Sequence, residues 1–155
     1  MPKLRCPARP AAGLAIALML VAQAAAAETA APAAGAPGIR TVLSTGTTVT
    51  DEPIKYPIGA PAQITAVEIT LAPGQQTGWH MHPVPLFGYI LEGELTVDYG
   101  ALGQRVFRQG DGLAEAMNEA HNGRNSGQGP VRILAVFIGA QGVRDTVPAS
   151  PPARQ

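Results

Sequence analysis

The stretch Glu92-Gly-Glu94-Leu-Thr-Val-Asp-Tyr99-Gly100 decides the fold class. Between its two glycines apolar and polar residues alternate, so Leu95, Val97 and Tyr99 fall on one face of an extended chain and Glu94, Thr96 and Asp98 on the other. That period of two predicts a half-buried β-strand, because a helix would scatter the three apolar residues around its circumference. Working outward, Val67, Ile69 and Leu71 make a second inward row that ends at Pro73-Gly74. Val131-Arg-Ile-Leu-Ala-Val-Phe-Ile138 is apolar on both faces except at Arg132, as expected of a central strand or of one covered by a partner subunit. No segment sustains a helical apolar repeat, and turn signals recur at Pro73-Gly74, Glu92-Gly93, Tyr99-Gly100, Gly110-Asp-Gly112 and Asn122-Gly123. The chain is therefore expected to be all-β, a sandwich or a barrel.

The ends have a different character. Residues 1–27 combine a basic start, an apolar middle from Ala11 to Val21 and a small-residue end, the pattern of a secretory signal peptide cleaved between Ala27 and Glu28. The apolar middle falls well short of the roughly 20 residues needed to span a bilayer, so no stable membrane span is expected after cleavage. Cys6 lies in the basic region and leaves with the leader, and the mature chain is expected to be exported, periplasmic or secreted, with no disulfide. Loss of Lys3, Arg5 and Arg9 leaves 8 basic residues against 11 acidic ones, a formal charge of −3. No basic patch with interleaved aromatics is present, so nucleic acid is not an expected partner. Residues 28–38, almost entirely Ala, Pro, Gly and Thr, form a flexible linker; 39–146 form one folded domain; 147–155 form a disordered tail.

The chemistry sits in two glycine-punctuated blocks. The first runs Gly74-Gln-Gln-Thr-Gly-Trp-His80-Met-His82-Pro-Val-Pro-Leu86-Phe-Gly-Tyr-Ile-Leu-Glu-Gly93, and the second runs Gly110-Asp-Gly-Leu-Ala-Glu115-Ala-Met-Asn-Glu-Ala-His121-Asn-Gly-Arg-Asn125. Histidines at i and i+2 on a strand share a face with backbones about 7 Å apart, so His80 and His82 can converge on one ion while Met81 faces away. His121 supplies a third imidazole from a distant strand, and the chain has no other histidine.

Together the blocks resemble the two motifs of the cupin family. Gly74, His80, His82 and Gly93 fit the first motif in register, and Gly110, His121 and Asn125 fit the second. The resemblance implies a double-stranded β-helix, the jelly-roll barrel of that family, with a divalent metal ion held by His80, His82 and His121. Leu86 stands where the family places a glutamate ligand, and Ala116 and Asn118 replace the proline and glycine of the second motif.

Three neutral imidazoles would leave a divalent ion its full +2 charge and open positions for substrate, water or dioxygen. Imidazole suits iron, manganese, zinc, nickel and copper alike, so the ligand set does not name the metal. Glu115, in the strand leading to His121, is a candidate catalytic base or alternative fourth ligand if it points inward; otherwise it is a solvent-facing residue or a partner for Arg124. Leu86 and Phe87 are the expected substrate-pocket residues, since alternation puts Trp79 and Met81 on the face opposite His80 and His82. Asn125 is expected to close a turn through its side chain.

On this reading the chain is an exported mononuclear metal-binding cupin, a metal-dependent enzyme of dioxygenase-like type acting on a small anionic or enolisable molecule. A non-catalytic periplasmic protein that binds a metal or small ligand, and a metal-dependent isomerase or hydrolase, are the alternatives. A homodimer is the expected assembly, from family habit and the doubly apolar run Val131 to Ile138.

Overall fold

The computed structural model describes residues 37–153. The leader at 1–27 and all but the end of the linker at 28–38 lie outside the described residues. The alternating segment forms β4 (Glu94–Asp98), with Leu95 and Val97 buried and Tyr99 buried just beyond its end. It is the middle strand of an antiparallel sheet between β5 (Gln104–Arg108) and β7 (Asn122–Asn125). The doubly apolar run forms β8 (Val131–Ala140), inside an antiparallel sheet ordered β1 (Ala62–Leu71), β8, β3 (Leu86–Glu92), β6 (Gly112–Ala114). Val131, Ile133, Ala135 and Phe137 are buried on its core face, whereas Leu134, Val136 and Ile138 are only half-buried on the other. An interior strand is thus the correct account of that run.

Inward rows from both sheets pack together: Leu71, Ile90, Leu113 and Ile133 from the four-stranded sheet meet Leu95, Val97 and Tyr99 of β4 and its end. The result is the all-β jelly roll that the two histidine blocks implied. Among the described residues no helix is long and apolar enough to cross a membrane.

Two expectations change. The inward row of β1 begins only at Ile69: Val67 is 38% exposed, because this edge strand pairs with β8 alone and its first half projects past the core. The segment assigned to a loose tail is ordered where it begins. Val147–Pro148 forms β9, paired antiparallel with β2 (His80–Met81), and the Ala149 N–H donates to the Trp79 carbonyl at 3.0 Å. Backbone pairing of this kind needs no side-chain pattern, so a Pro- and Ala-rich composition does not exclude it.

The glycines of the two blocks have a backbone reason. Gly74, Gly93 and Gly110 adopt φ of 78°, 81° and 93°, a region costly for any residue with a Cβ. At Gly93 a Cβ would also lie 2.5 Å from the Pro130 carbonyl oxygen. Asn125 closes its turn as expected: its Nδ2 donates to the Leu71 and Gly129 carbonyls, both at 2.8 Å, and its Oδ1 accepts the Gly127 N–H at 2.9 Å. Since Asn125 is 1% exposed, water cannot replace these bonds. Asn125→Ala should therefore lower the free energy of unfolding by about 2–4 kcal/mol, measured by urea denaturation; a loss below about 0.5 kcal/mol would contradict this role.

Candidate metal centre

The two blocks run side by side, antiparallel, and meet at their histidines. His80 and His121 exchange both backbone hydrogen bonds, at 3.0 and 2.9 Å, and the His82 N–H donates to the Met117 carbonyl at 2.9 Å. Further along, the Thr77 N–H donates to Gly123 and the Gly74 N–H to Asn125. This ladder brings together imidazoles forty residues apart in sequence. The ring centroids lie 4.4 Å apart for His80 and His121, 4.9 Å for His80 and His82, and 5.0 Å for His82 and His121. One potential ligand atom from each ring lies within 4.8 Å of the other two.

Each ring is oriented by a backbone carbonyl. Nδ1 of His80 donates to Gly78 O at 2.8 Å, Nδ1 of His82 to Asp145 O at 3.0 Å, and Nδ1 of His121 to Glu119 O at 2.9 Å. A carbonyl only accepts, so each Nδ1 carries the proton and each Nε2 keeps its lone pair. Among the described residues, Nε2 of His121 is fully buried without a hydrogen-bond partner. An acceptor left bare in a protein interior is costly unless a cation or donor meets it, and bonds of about 2.0–2.1 Å from an ion to imidazole nitrogen suit this set. The residues present fit a divalent metal ion.

A protein-family model described as a cupin domain matches residues 67–137. The matched stretch is a cupin domain and includes His80, His82 and His121. No curated protein sequence matches the chain. Among solved structures, similar ones include an oxalate decarboxylase from Lactobacillus farciminis, 23% identical with a TM-score of 0.48 over 55% of this chain and 26% of that one. An oxalate oxidase is 23% identical with a TM-score of 0.48 over 56% of this chain and 46% of its own. A DMSP lyase from Ruegeria pomeroyi is 21% identical with a TM-score of 0.49 over 59% of this chain and 45% of its own. The chain thus spans between about a quarter and a half of the length of these chains.

A cavity of about 720 Å³ opens beside the imidazoles between the two sheets. Leu86 lines it and is buried. Phe87 does not. Along β3 the buried positions are Leu86, Gly88 and Ile90, and the opposite parity turns Phe87 away from the cavity, toward Gly112. Trp79 does line it, against expectation, because β2 spans only His80–Met81 and strand alternation does not reach back through Gly78, whose φ is 80°. Glu115 also faces the cavity and is buried, not paired with Arg124. Its Oε1 accepts the Tyr99 hydroxyl at 2.7 Å and the Ala116 N–H at 2.8 Å. It stands beside the cluster rather than in it: the ligand atoms gathered within 4.8 Å of one another belong, among the described residues, to His80, His82 and His121.

Four contributors were not identified from the sequence. Tyr99 holds Glu115; an inward tyrosine on an alternating strand needs a hydroxyl partner, and that was the available signal. Glu52 accepts the Met117 and Asn118 N–H groups at 2.9 and 3.1 Å and so fixes the loop that leads into His121. Asp145 lends its carbonyl, and Thr146 Oγ1 lies 3.2 Å from the same His82 nitrogen. No local pattern marks these last two.

Burial sets the electrostatics. It lowers the pKa of all three histidines despite the carbonyl partners, that of His82 to about 3; the His121 ring further lowers His80, and His121 and His80 together further lower His82. It also raises the pKa of Glu115, against its Tyr99 and Ala116 hydrogen bonds, and that of Tyr99. For Glu52, burial pushes upward, but the Met117 and Asn118 N–H groups and the Thr50 hydroxyl bring its pKa below the ordinary carboxylate value. The folded protein thus keeps its imidazoles neutral where an unfolded chain, with a histidine pKa of about 6.5, takes up protons. More protons on the unfolded state means stability falls with falling pH, for His82 from about 6.5 down to about 3, by at most about 1.4 kcal/mol per pH unit for each histidine. Denaturation midpoints of metal-free protein should drop through this window, and His82→Asn should flatten the decline. A wild-type midpoint unmoved between about pH 7 and pH 4 would contradict these environments.

Proposed function

We propose that this chain is an exported metal-dependent enzyme of oxygenase type, acting on a small anionic or enolisable molecule bound at His80, His82 and His121. The observation that carries the metal reading is the common tautomer within one cluster: three Nδ1–H groups tied to carbonyls, one ring nitrogen of each histidine within 4.8 Å of the other two, and Nε2 of His121 buried without a partner among the described residues. The signal-like residues 1–27 support export. With three protein donors an ion keeps open positions, and when bound it would polarise a substrate oxygen and, if it is iron, serve oxygen chemistry.

The chain's own residues supply orientation and proton transfer. The carbonyls of Gly78, Glu119 and Asp145 hold the rings in one orientation, so no proton has to move before a ligand enters. Glu115 shares the cavity with the imidazoles, and its Oε1 is engaged while Oε2 has no hydrogen-bond partner among the described residues. That oxygen is placed to accept a proton from an acidic carbon or hydroxyl and to return it. Burial raises the carboxyl pKa, which makes the group a stronger base.

Elemental analysis after reloading tests the reading directly. Wild type should retain a single equivalent of divalent metal and His82→Ala and His121→Ala should retain less than about a third of it; equal retention by all three would overturn the proposal. Glu115→Gln should keep the metal while slowing oxygen uptake with a β-diketone by about 10²-fold. Metal retention without any oxygen uptake across diketones, catechols and thiols would favour a binding protein over an oxygenase.

A further inference from the structure

The charges around the cavity are unusually one-sided. Among its lining residues there is no lysine and no arginine, and Glu115 is the single carboxylate. Deep positions are apolar: Ile69, Leu71, Leu86, Leu95, Val97 and Phe137. Toward solvent the exposed side chains Gln75, Gln76, Thr77 and Thr146 are polar but uncharged. Two arginines of the neighbouring strands are paired with carboxylates. Arg132 lies on the opposite face of β8 from Ile133 and pairs with Glu68 and Glu92, and Arg108 pairs with Glu94. Arg124 lies on the exposed face of β7, opposite buried Gly123 and Asn125, in an adjoining polar groove that shares Gln76 and Trp79 with the cavity and also holds Asp98, Gln104 and Asn122.

We propose that the cavity takes ligands with one anionic head, seated at the three imidazoles, and an apolar body, and that it rejects ligands carrying a second charge away from the head. The inference rests on the metal reading above, because the ion is what receives the head. A second carboxylate would have to leave water for a space whose walls offer no cation and which already holds Glu115, and a buried charge without a partner is strongly disfavoured. An apolar body has the opposite prospect. Each methylene moved from water onto such a wall improves affinity by about two- to fourfold, and a cavity of about 720 Å³ has room for a chain of several carbons where a two-carbon acid would leave most of the wall uncovered.

Hexanoate and adipate make the comparison clean, since they have equal length and differ by one carboxylate. Zinc-loaded full-length protein is titrated calorimetrically with both, and with straight-chain monocarboxylates from acetate to octanoate, after zinc retention is measured. Affinity should climb by about two- to fourfold per methylene, and hexanoate should bind at least about tenfold more tightly than adipate. Gln76→Lys, an exposed change at the mouth, should narrow the hexanoate–adipate gap by about fivefold by supplying the missing cation. With zinc retained, a flat chain-length series, adipate binding equal to or tighter than hexanoate, or a gap that Gln76→Lys leaves unchanged would overturn the ligand class and leave the metal reading standing. Failure to retain zinc, in contrast, would overturn the metal reading and this inference together.

Discussion

Three N–H···O=C hydrogen bonds, one to each imidazole, are the constraint on which the site depends. A neutral histidine can present either nitrogen, and without a fixed partner the proton could sit on the side where a ligand atom is needed. Here the carbonyls of Gly78, Glu119 and Asp145 take the Nδ1 protons. They come from the turn before β2, the loop before β7 and the segment before β9, so three separate parts of the chain must be in place for one tautomer pattern to hold. Burial works in the same direction, since it disfavours the imidazolium form and three adjacent cations would repel.

The sheets exist, in this sense, to deliver those carbonyls and rings. The antiparallel bridge between His80 and His121 ties the two blocks at the point where their side chains matter. β4 and β8 supply the buried rows against which the blocks rest, and Glu52 and Asn125 fasten the loops on either side of His121 through hydrogen bonds to backbone groups. The cost is a pocket of polar atoms in an apolar interior, most plainly Nε2 of His121. A protein that carries such a cost without offset would be expected to have lost it, which is why the bare nitrogen argues for an occupant.

Much of this was legible in the sequence because it rests on periods of two and on glycine. Leu95, Val97 and Tyr99 are buried as alternation requires, and Gly74, Gly93 and Gly110 all adopt positive φ. The histidine spacing likewise located the cluster. What was not legible follows from where those rules stop. Trp79 precedes a two-residue strand, so parity does not govern it, and Phe87 was misplaced by sequence proximity to Leu86 although β3 puts the two on opposite faces. The inward face of Glu115 turned on a register that a single-residue shift would reverse, and its partner Tyr99 comes from another strand. Asp145 acts through its backbone carbonyl and Val147–Pro148 through backbone pairing, and backbone contributions leave no mark in residue type.

A neutral three-nitrogen cluster, an adjoining buried carboxylate and a largely apolar cavity lined by no lysine or arginine meet in one site. All three imidazoles are expected to bind one ion there through Nε2. X-ray absorption at the metal edge of the reloaded protein measures this directly. Three imidazole nitrogens at about 2.0–2.1 Å, with the remaining positions filled by light oxygen donors, are the expected shell; a shell lacking imidazole scattering, or holding fewer than three such rings, would contradict it.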